Sequence, residues 1–240
     1  MSMTLIYPAI VALVSLVFGL VVYGQYRTRH RPYQLIWAIS LWMSFIASIA
    51  YILAMAFDHV LSFQLYYLFG ALLMAAYLGL GSIYLVASKR VAIVCLGGII
   101  ALSVIGTVLL FQAPIDRAEL AALEGGPGRD VIGSGAWLPV VIVMNSFGLI
   151  AVAGIALYSA WQLFHKQAAA NYVWGNVLIA IGVIVLGAAG SAARLGRESG
   201  FWWAMTLGWV VAFAGFLVIS TTVPARQTST NANVSHTEET

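Results

Sequence analysis

Seven stretches, each about twenty residues or longer, run through this chain with almost no ionisable side chain inside them, and that feature decides the solvent it folds in. At 1.5 Å per residue, a helix of about twenty residues crosses a hydrocarbon core of about 30 Å. Inside that core every backbone N–H and C=O must find its partner within the segment, so each stretch is expected to be an α-helix. The chain is 62% apolar and 8% charged, against about 45–50% and about 25% in soluble domains. The expected fold is therefore all-α, a polytopic bundle of seven transmembrane helices.

The spans are read as Leu5–Tyr26, Tyr33–Phe57, Val60–Ala87, Val91–Gln112, Ala136–Phe164, Tyr172–Arg194 and Phe201–Val223. They make one transmembrane domain over residues 1–223, with a long connection at 113–135. Residues 224–240 are Thr-, Ser- and Asn-rich and read as a disordered tail. The first span has no basic residue before it and no clear cleavage site, so it reads as retained and not as a signal peptide.

Lys and Arg on alternate sides of the spans set the orientation, because cytoplasmic loops keep positive charge during insertion. One side carries Arg27, Arg29, Arg31, Lys89, Arg90, Lys166 and Arg226. The other carries Arg117, Arg129, Arg194 and Arg197, diluted by Asp58, Asp116, Glu119, Glu124, Asp130 and Glu198. The N-terminus is thus expected outside and the C-terminus in the cytoplasm. Placed this way, the basic residues record topology and not a nucleic-acid patch. Tyr7, Trp137, Trp202 and Trp203 at outer ends, and Tyr26, Tyr33, Trp37, Tyr172 and Trp174 at inner ends, are expected to anchor the headgroup layer. In the long connection, Ile115, Leu120 and Leu123 before Gly125 and Gly126 imply a short helix lying on the outer surface.

Apart from Arg194 near the end of the sixth span, no span contains Asp, Glu, Lys, Arg or His. Proton relays, cation-coupled carriers and voltage sensors are built on such groups, and a retinal Schiff base needs a lysine in the seventh span. No two histidines share a helix at ligand spacing; His30 and His165 could meet only at the cytoplasmic ends. Cys95 lies inside an apolar run and reads as a packing residue. No catalytic residue, metal site or cofactor is assigned, and the chain reads as a non-enzyme. An enzyme acting on lipid would require Asp58, His59, Arg194 and Glu198 to converge at the outer face. Asp58, Arg194 and Glu198 form the candidate outer-face charge cluster, with Arg194 otherwise snorkelling to the surface.

The polar character left in the spans is uncharged. Ser44, Tyr77, Asn145 and Asn176 are the candidate lining of an interior pocket, and the alternative is that they join helices by hydrogen bonds. Small residues spaced by four, at Ala71, Ala75 and Gly79, at Ala188, Ala192 and Gly196, and at Ala204, Gly208 and Ala212, mark expected close helix seams. Pro8 and Pro139 open the first and fifth spans, and aromatic pairs open the second and sixth, which allows a three-plus-one-plus-three repeat about the fourth span.

From Tyr67-Leu-Phe-Gly70 through Leu78-Gly-Leu-Gly81-Ser-Ile-Tyr84, and from Ala170-Asn-Tyr-Val-Trp-Gly-Asn176 through Ala214-Gly-Phe216, the chain resembles uncharacterised seven-span bacterial membrane proteins. More loosely it resembles the seven-span sensor regions of bacterial histidine kinases. The resemblance implies a bacterial inner membrane and supplies no activity. The functional expectation is a non-enzymatic membrane module, a subunit or small-ligand-sensing partner of other membrane proteins. The alternative is a facilitator for a small neutral solute. Its expected partners are membrane lipids and another membrane protein or a second copy of itself.

Overall fold

The computed structural model describes residues 5–221; the tail at 224–240 lies outside them. Seven long apolar helices form the bundle: α1 (Ile6–Arg29), α2 (Pro32–Phe57), α3 (Val60–Val86), α4 (Lys89–Phe111), α6 (Trp137–His165), α7 (Ala170–Arg194) and α8 (Phe201–Thr221). A short helix, α5 (Arg117–Ala121), lies in the long connection. Several helices start or end a few residues beyond the apolar stretches, as at Arg29 and Lys89, because polar side chains continue a helix into the headgroup layer. The chain is a multi-pass membrane protein, and the outward faces of its helices contact lipid.

Short connections make consecutive helices antiparallel neighbours. His30, at φ 50°, ends α1 and donates its N–H to the Tyr26 carbonyl at 2.7 Å. Pro32 then opens α2, where its missing N–H costs nothing. The principal packing is a ring in which α1 meets α2, α2 meets α3, α3 meets α6, α6 meets α7, α7 meets α8, and α8 returns to α1. Helix α4 packs outside the ring on α3 and α6 and leaves most of its surface to lipid. In the three-plus-one-plus-three reading, the third helix of each half lies against the first of the other, as it does in any closed ring of six consecutive helices.

Association in lipid depends on close packing, since the tails are as apolar as the side chains. Gly79 and Ala75 of α3 lie against Gly148 of α6, and Gly175 and Gly182 of α7 against Gly208, Ala212 and Gly215 of α8. The first and third expected stripes therefore lie at seams. The Ala188, Ala192 and Gly196 stripe does not: Ala188 is exposed, Gly196 is beyond the helix, and α7 uses Gly175 and Gly182, two turns apart on its other face. On the α1–α8 seam, Phe18 sits 6.5, 4.8 and 5.0 Å from the ring centres of Trp209, Phe213 and Phe216.

Within α3, residues Tyr67–Leu73 form a π-helical segment, ending with the Met74 N–H donating to the Phe69 carbonyl. The wider turn advances each residue by less than the usual 100°, so the consecutive Tyr66, Tyr67 and Leu68 are all buried. Side chains of neighbouring helices bond to the α3 backbone through and beyond this segment. Asn145 Nδ2 donates to the Ala71 carbonyl at 2.9 Å, Ser40 Oγ to Met74 at 2.7 Å, and Trp37 Nε1 to Leu78 at 3.1 Å. Asn145→Ala is expected to lower bundle stability by about 0.6–1.7 kcal/mol, the range of interhelical hydrogen bonds in membranes. Reversible unfolding in mixed micelles measures this.

Candidate functional site

The long connection between α4 and α6 is a folded cap. Asp116 Oδ1 accepts from the N–H groups of Ala118 and Glu119 at 2.8 and 3.2 Å and starts α5. Asp116 N–H donates to the Val131 carbonyl and Gly133 N–H to Pro114, bringing the two arms together at an Ile115–Ile132 bridge. Leu120, Val131 and Ile132 are buried beneath it. The short helix expected in this connection is present as α5, with Leu120 turned inward and its other four residues exposed.

Two tyrosines hold the cap to the bundle. Tyr51 of α2 donates its hydroxyl to the Gly126 carbonyl at 2.7 Å, and Tyr67 of α3 donates to those of Pro127 and Gly128 at 3.2 and 3.1 Å. Beneath the contact is an aromatic cluster. Tyr51 lies 5.0 Å from Tyr66 and 4.5 Å from Trp202, and Tyr67 lies 5.0 Å from Phe63 and 5.7 Å from Trp137, between ring centres. Trp137 and Trp202 are each only 5% exposed and build this cluster, whereas Trp203 is 56% exposed. Tyr67→Phe with Tyr51→Phe is expected to free the cap locally, since each buried carbonyl left without a donor costs about 1–3 kcal/mol. Faster proteolysis around 121–131, with nearly unchanged unfolding of the helices, is the measurable outcome.

Between the cap, the turn after α7 and the start of α8 is a cavity of about 520 Å³, within the ordinary range for small-ligand sites of about 300–1,000 Å³. Four carboxylates line it: Glu119, Glu124 and Asp130 from the cap and Glu198 from the turn. Its aromatic lining is Tyr7, Phe201, Trp202 and Trp203. Glu198 presses its carboxylate against the Gly126 backbone, so the turn and the cap share a wall. Among the described residues one ion pair is present, Arg129 to Asp130 at 4.0 Å. Glu119, Glu124 and Glu198 therefore have no cationic side chain within 4.0 Å among those residues.

Of the candidate charge cluster, only Glu198 lines this cavity. Asp58 is exposed where α2 ends, at φ 49°, and Arg194 is the last residue of α7; no ion pair joins the three. His59 Nδ1 lies 2.8 Å from Ser62 Oγ. The interior polar set is dispersed as well. Asn145 bonds across to α3, whereas Asn176 donates to the Tyr172 carbonyl of its own helix at 2.8 Å. Ser44 is buried on α2 and Tyr77 is half-buried on α3. None of these four lines the cavity under the cap or the second one, of about 650 Å³, beside Phe164, His165 and Trp174 between α6 and α7. His165 packs on Trp161 and His30 on Tyr26, each on its own helix.

The residues that sequence reasoning missed are Glu119, Glu124, Asp130, Tyr51 and Tyr67. A signal for the first three was present. Four of the six acids on that side of the spans are the ones that line the cavity, although in sequence they read only as dilution of positive charge. No comparable signal marks the tyrosines, which look like any aromatic residues near a helix end. Compared with protein-family models, with curated proteins and with solved structures, the chain matches none, so nothing of its function is carried over from a relative.

Proposed function

We propose that this chain is a non-enzymatic membrane module that takes up a small ligand under its cap and passes the occupancy to another membrane protein or to a second copy of itself. The capped side faces outward in this reading and the C-terminus faces the cytoplasm, supported by the seven basic residues against four. The bacterial inner membrane is proposed on the resemblance alone.

One observation carries the reading: the cap roofing the cavity is tied to Tyr67, the first residue of the π-helical segment. A π segment is an irregularity that commonly marks a functional site. Displacing the cap pulls directly on α3, whose backbone in turn holds Asn145 of α6 and Ser40 of α2. Against a lipid-processing enzyme stands the placement of Asp58, His59 and Arg194 outside the cavity lining.

Purification from native membranes in mild detergent, followed by reconstitution in lipid, tests the module. A stable partner or homo-oligomer is expected; a strictly monomeric protein in both settings overturns the reading. The second reading, a facilitator for a small neutral solute, is favoured by the three-plus-one-plus-three adjacency. Flux of neutral solutes into proteoliposomes decides it, and no flux across a broad panel removes it.

A further inference from the structure

We infer that the end of α7 beside the cap binds the phosphate of an anionic phospholipid, held by Arg194 together with Arg129 of the cap and Arg197 of the turn. This site is separate from the cavity under the cap and does not depend on the reading above.

Three basic residues gather at this one helix end. The Arg129 guanidinium crosses from the cap to the turn after α7, where its Nη1 lies 3.0 Å from the place a Cβ would take on Gly196. Arg194 and Arg197 flank that glycine in the chain. The acids beside them turn elsewhere: Asp130 and Glu198 line the cavity under the cap, and none of the three arginines does. Among the described residues, the one carboxylate within 4.0 Å of any of these arginines is Asp130, at 4.0 Å from Arg129 Nε. Like charges brought together with so little neutralisation set up a local field that attracts an anion.

The arginines are not needed to close α7. Basic side chains often serve a helix C-terminus by bonding its last carbonyl groups, but here backbone donors fill them. Leu195 N–H donates to Ser191 at 3.2 Å, Gly196 to Ala193 at 3.0 Å and Arg197 to Ala192 at 2.9 Å. The Arg194 side chain is only partly exposed and lies within electrostatic reach of Tyr66 and Tyr67, yet no described residue gives its guanidinium a hydrogen-bond acceptor. Drawing a guanidinium out of water without an acceptor is costly, so an occupant that brings anionic oxygens is favoured. Its planar fork matches two oxygens of one phosphate. The surroundings point to lipid as the source. Arg194 ends a membrane-spanning helix, at the depth of the headgroup layer, and the adjoining Leu195 is 81% exposed. An apolar side chain standing that far out suits a surface that faces lipid and not water.

The test uses the full chain in nanodiscs of phosphatidylcholine with or without phosphatidylglycerol, and inorganic phosphate as a second probe. Lipid affinity is read by native mass spectrometry, and stability by the unfolding temperature. Phosphatidylglycerol is expected to bind more tightly than phosphatidylcholine and to raise the unfolding temperature, while inorganic phosphate does neither. Arg194→Gln weakens phosphatidylglycerol binding by about tenfold or more, the effect of losing a charge-assisted hydrogen bond. Arg129→Gln and Arg197→Gln weaken it by about fivefold each, the weight of one basic side chain at an anionic surface. Arg194→Lys keeps the charge but loses the fork, and falls between the native chain and Arg194→Gln. Arg29→Gln, at the end of α1 on the opposite side of the membrane, leaves the affinity unchanged.

Equal losses in Arg29→Gln and Arg194→Gln would mark general surface charge and overturn the inference. So would an Arg194→Gln variant that loses the same stability in both lipids with its lipid affinity intact, the behaviour of a purely structural arginine. Binding of inorganic phosphate without preference for phosphatidylglycerol overturns the lipid source and the inference with it. If Arg194→Gln fails to fold, the exposed Arg129 and Arg197 carry the test, and unchanged affinity in both of their variants overturns it. None of these outcomes bears on the small-ligand module, whose own test is the search for a partner or homo-oligomer.

Discussion

Gly182→Ala is expected to destabilise the bundle by about 1–3 kcal/mol, the usual cost of forcing a methyl into a packed seam. Built at Gly182, a Cβ stands 2.6 Å from both the Ala212 nitrogen and the Gly208 carbonyl oxygen of α8, and 2.8 Å from the Ala212 Cβ. Two of these three are backbone atoms, so no rotamer change relieves the contact and α7 and α8 must separate. That separation loosens one of the most extensive helix contacts in the bundle. Gly148→Ala is its counterpart on the α3–α6 seam, where the added carbon meets the Ala75 carbonyl. Gly97→Ala is the control. Nothing lies within 4 Å of that position, and alanine's better helix propensity there stabilises by up to about 1 kcal/mol. Reversible unfolding in mixed micelles, read by circular dichroism, separates the two classes. Equal losses at Gly182 and Gly97 would count against the seam.

Gly128→Ala is expected to release the cap by about 2–4 kcal/mol. Two terms contribute: about 1–2 for an L-residue in the left-handed region and about 1–3 for overpacking. Gly128 has φ 73°, and a Cβ there lies 2.7 Å from the Phe63 ring, which is itself buried against Tyr67. Gly200, at φ 82° with nothing within 4 Å, isolates the first term, so Gly200→Ala should cost about 1–2 kcal/mol. The readout is hydrogen exchange over 123–131 for the cap and 198–203 for the turn. Because the cap is tied to α3, Gly128→Ala is also expected to lower protection in the π segment, whereas Gly200→Ala leaves that segment protected. Unchanged exchange at 67–73 in Gly128→Ala would uncouple cap and helix and remove the main support for ligand sensing.

The two variants probe features that differ in how visible they are in the chain. Small residues spaced by four are easy to find, but three stripes were found and only two lie at seams. The stripe at Ala188 is as regular as the one at Ala75. What separates them is the rotation of each helix about its axis, set by all its neighbours together. The π segment is less visible still: no proline interrupts α3, and its hydropathy runs on through Tyr67–Leu73. Its wider turn is supported by acceptors offered to Asn145 and Ser40, residues more than thirty positions away along the chain.

The seven helices were legible because transfer into hydrocarbon is a local property of each segment, added residue by residue, and because each helix satisfies its own backbone. Helix number, approximate ends and the lack of charge within the spans follow from that without reference to any neighbour. The site under the cap had no such local basis. Tyr51 meets Gly126, Tyr67 meets Gly128 and Glu198 meets Gly126, and each contact joins segments that are distant in sequence and brought together only by the packing of the ring. Hydropathy decided that this chain is a membrane bundle of seven spans. Only the tertiary structure decided that its carboxylates share one cavity and that two buried tyrosines hang the roof of it from α2 and α3.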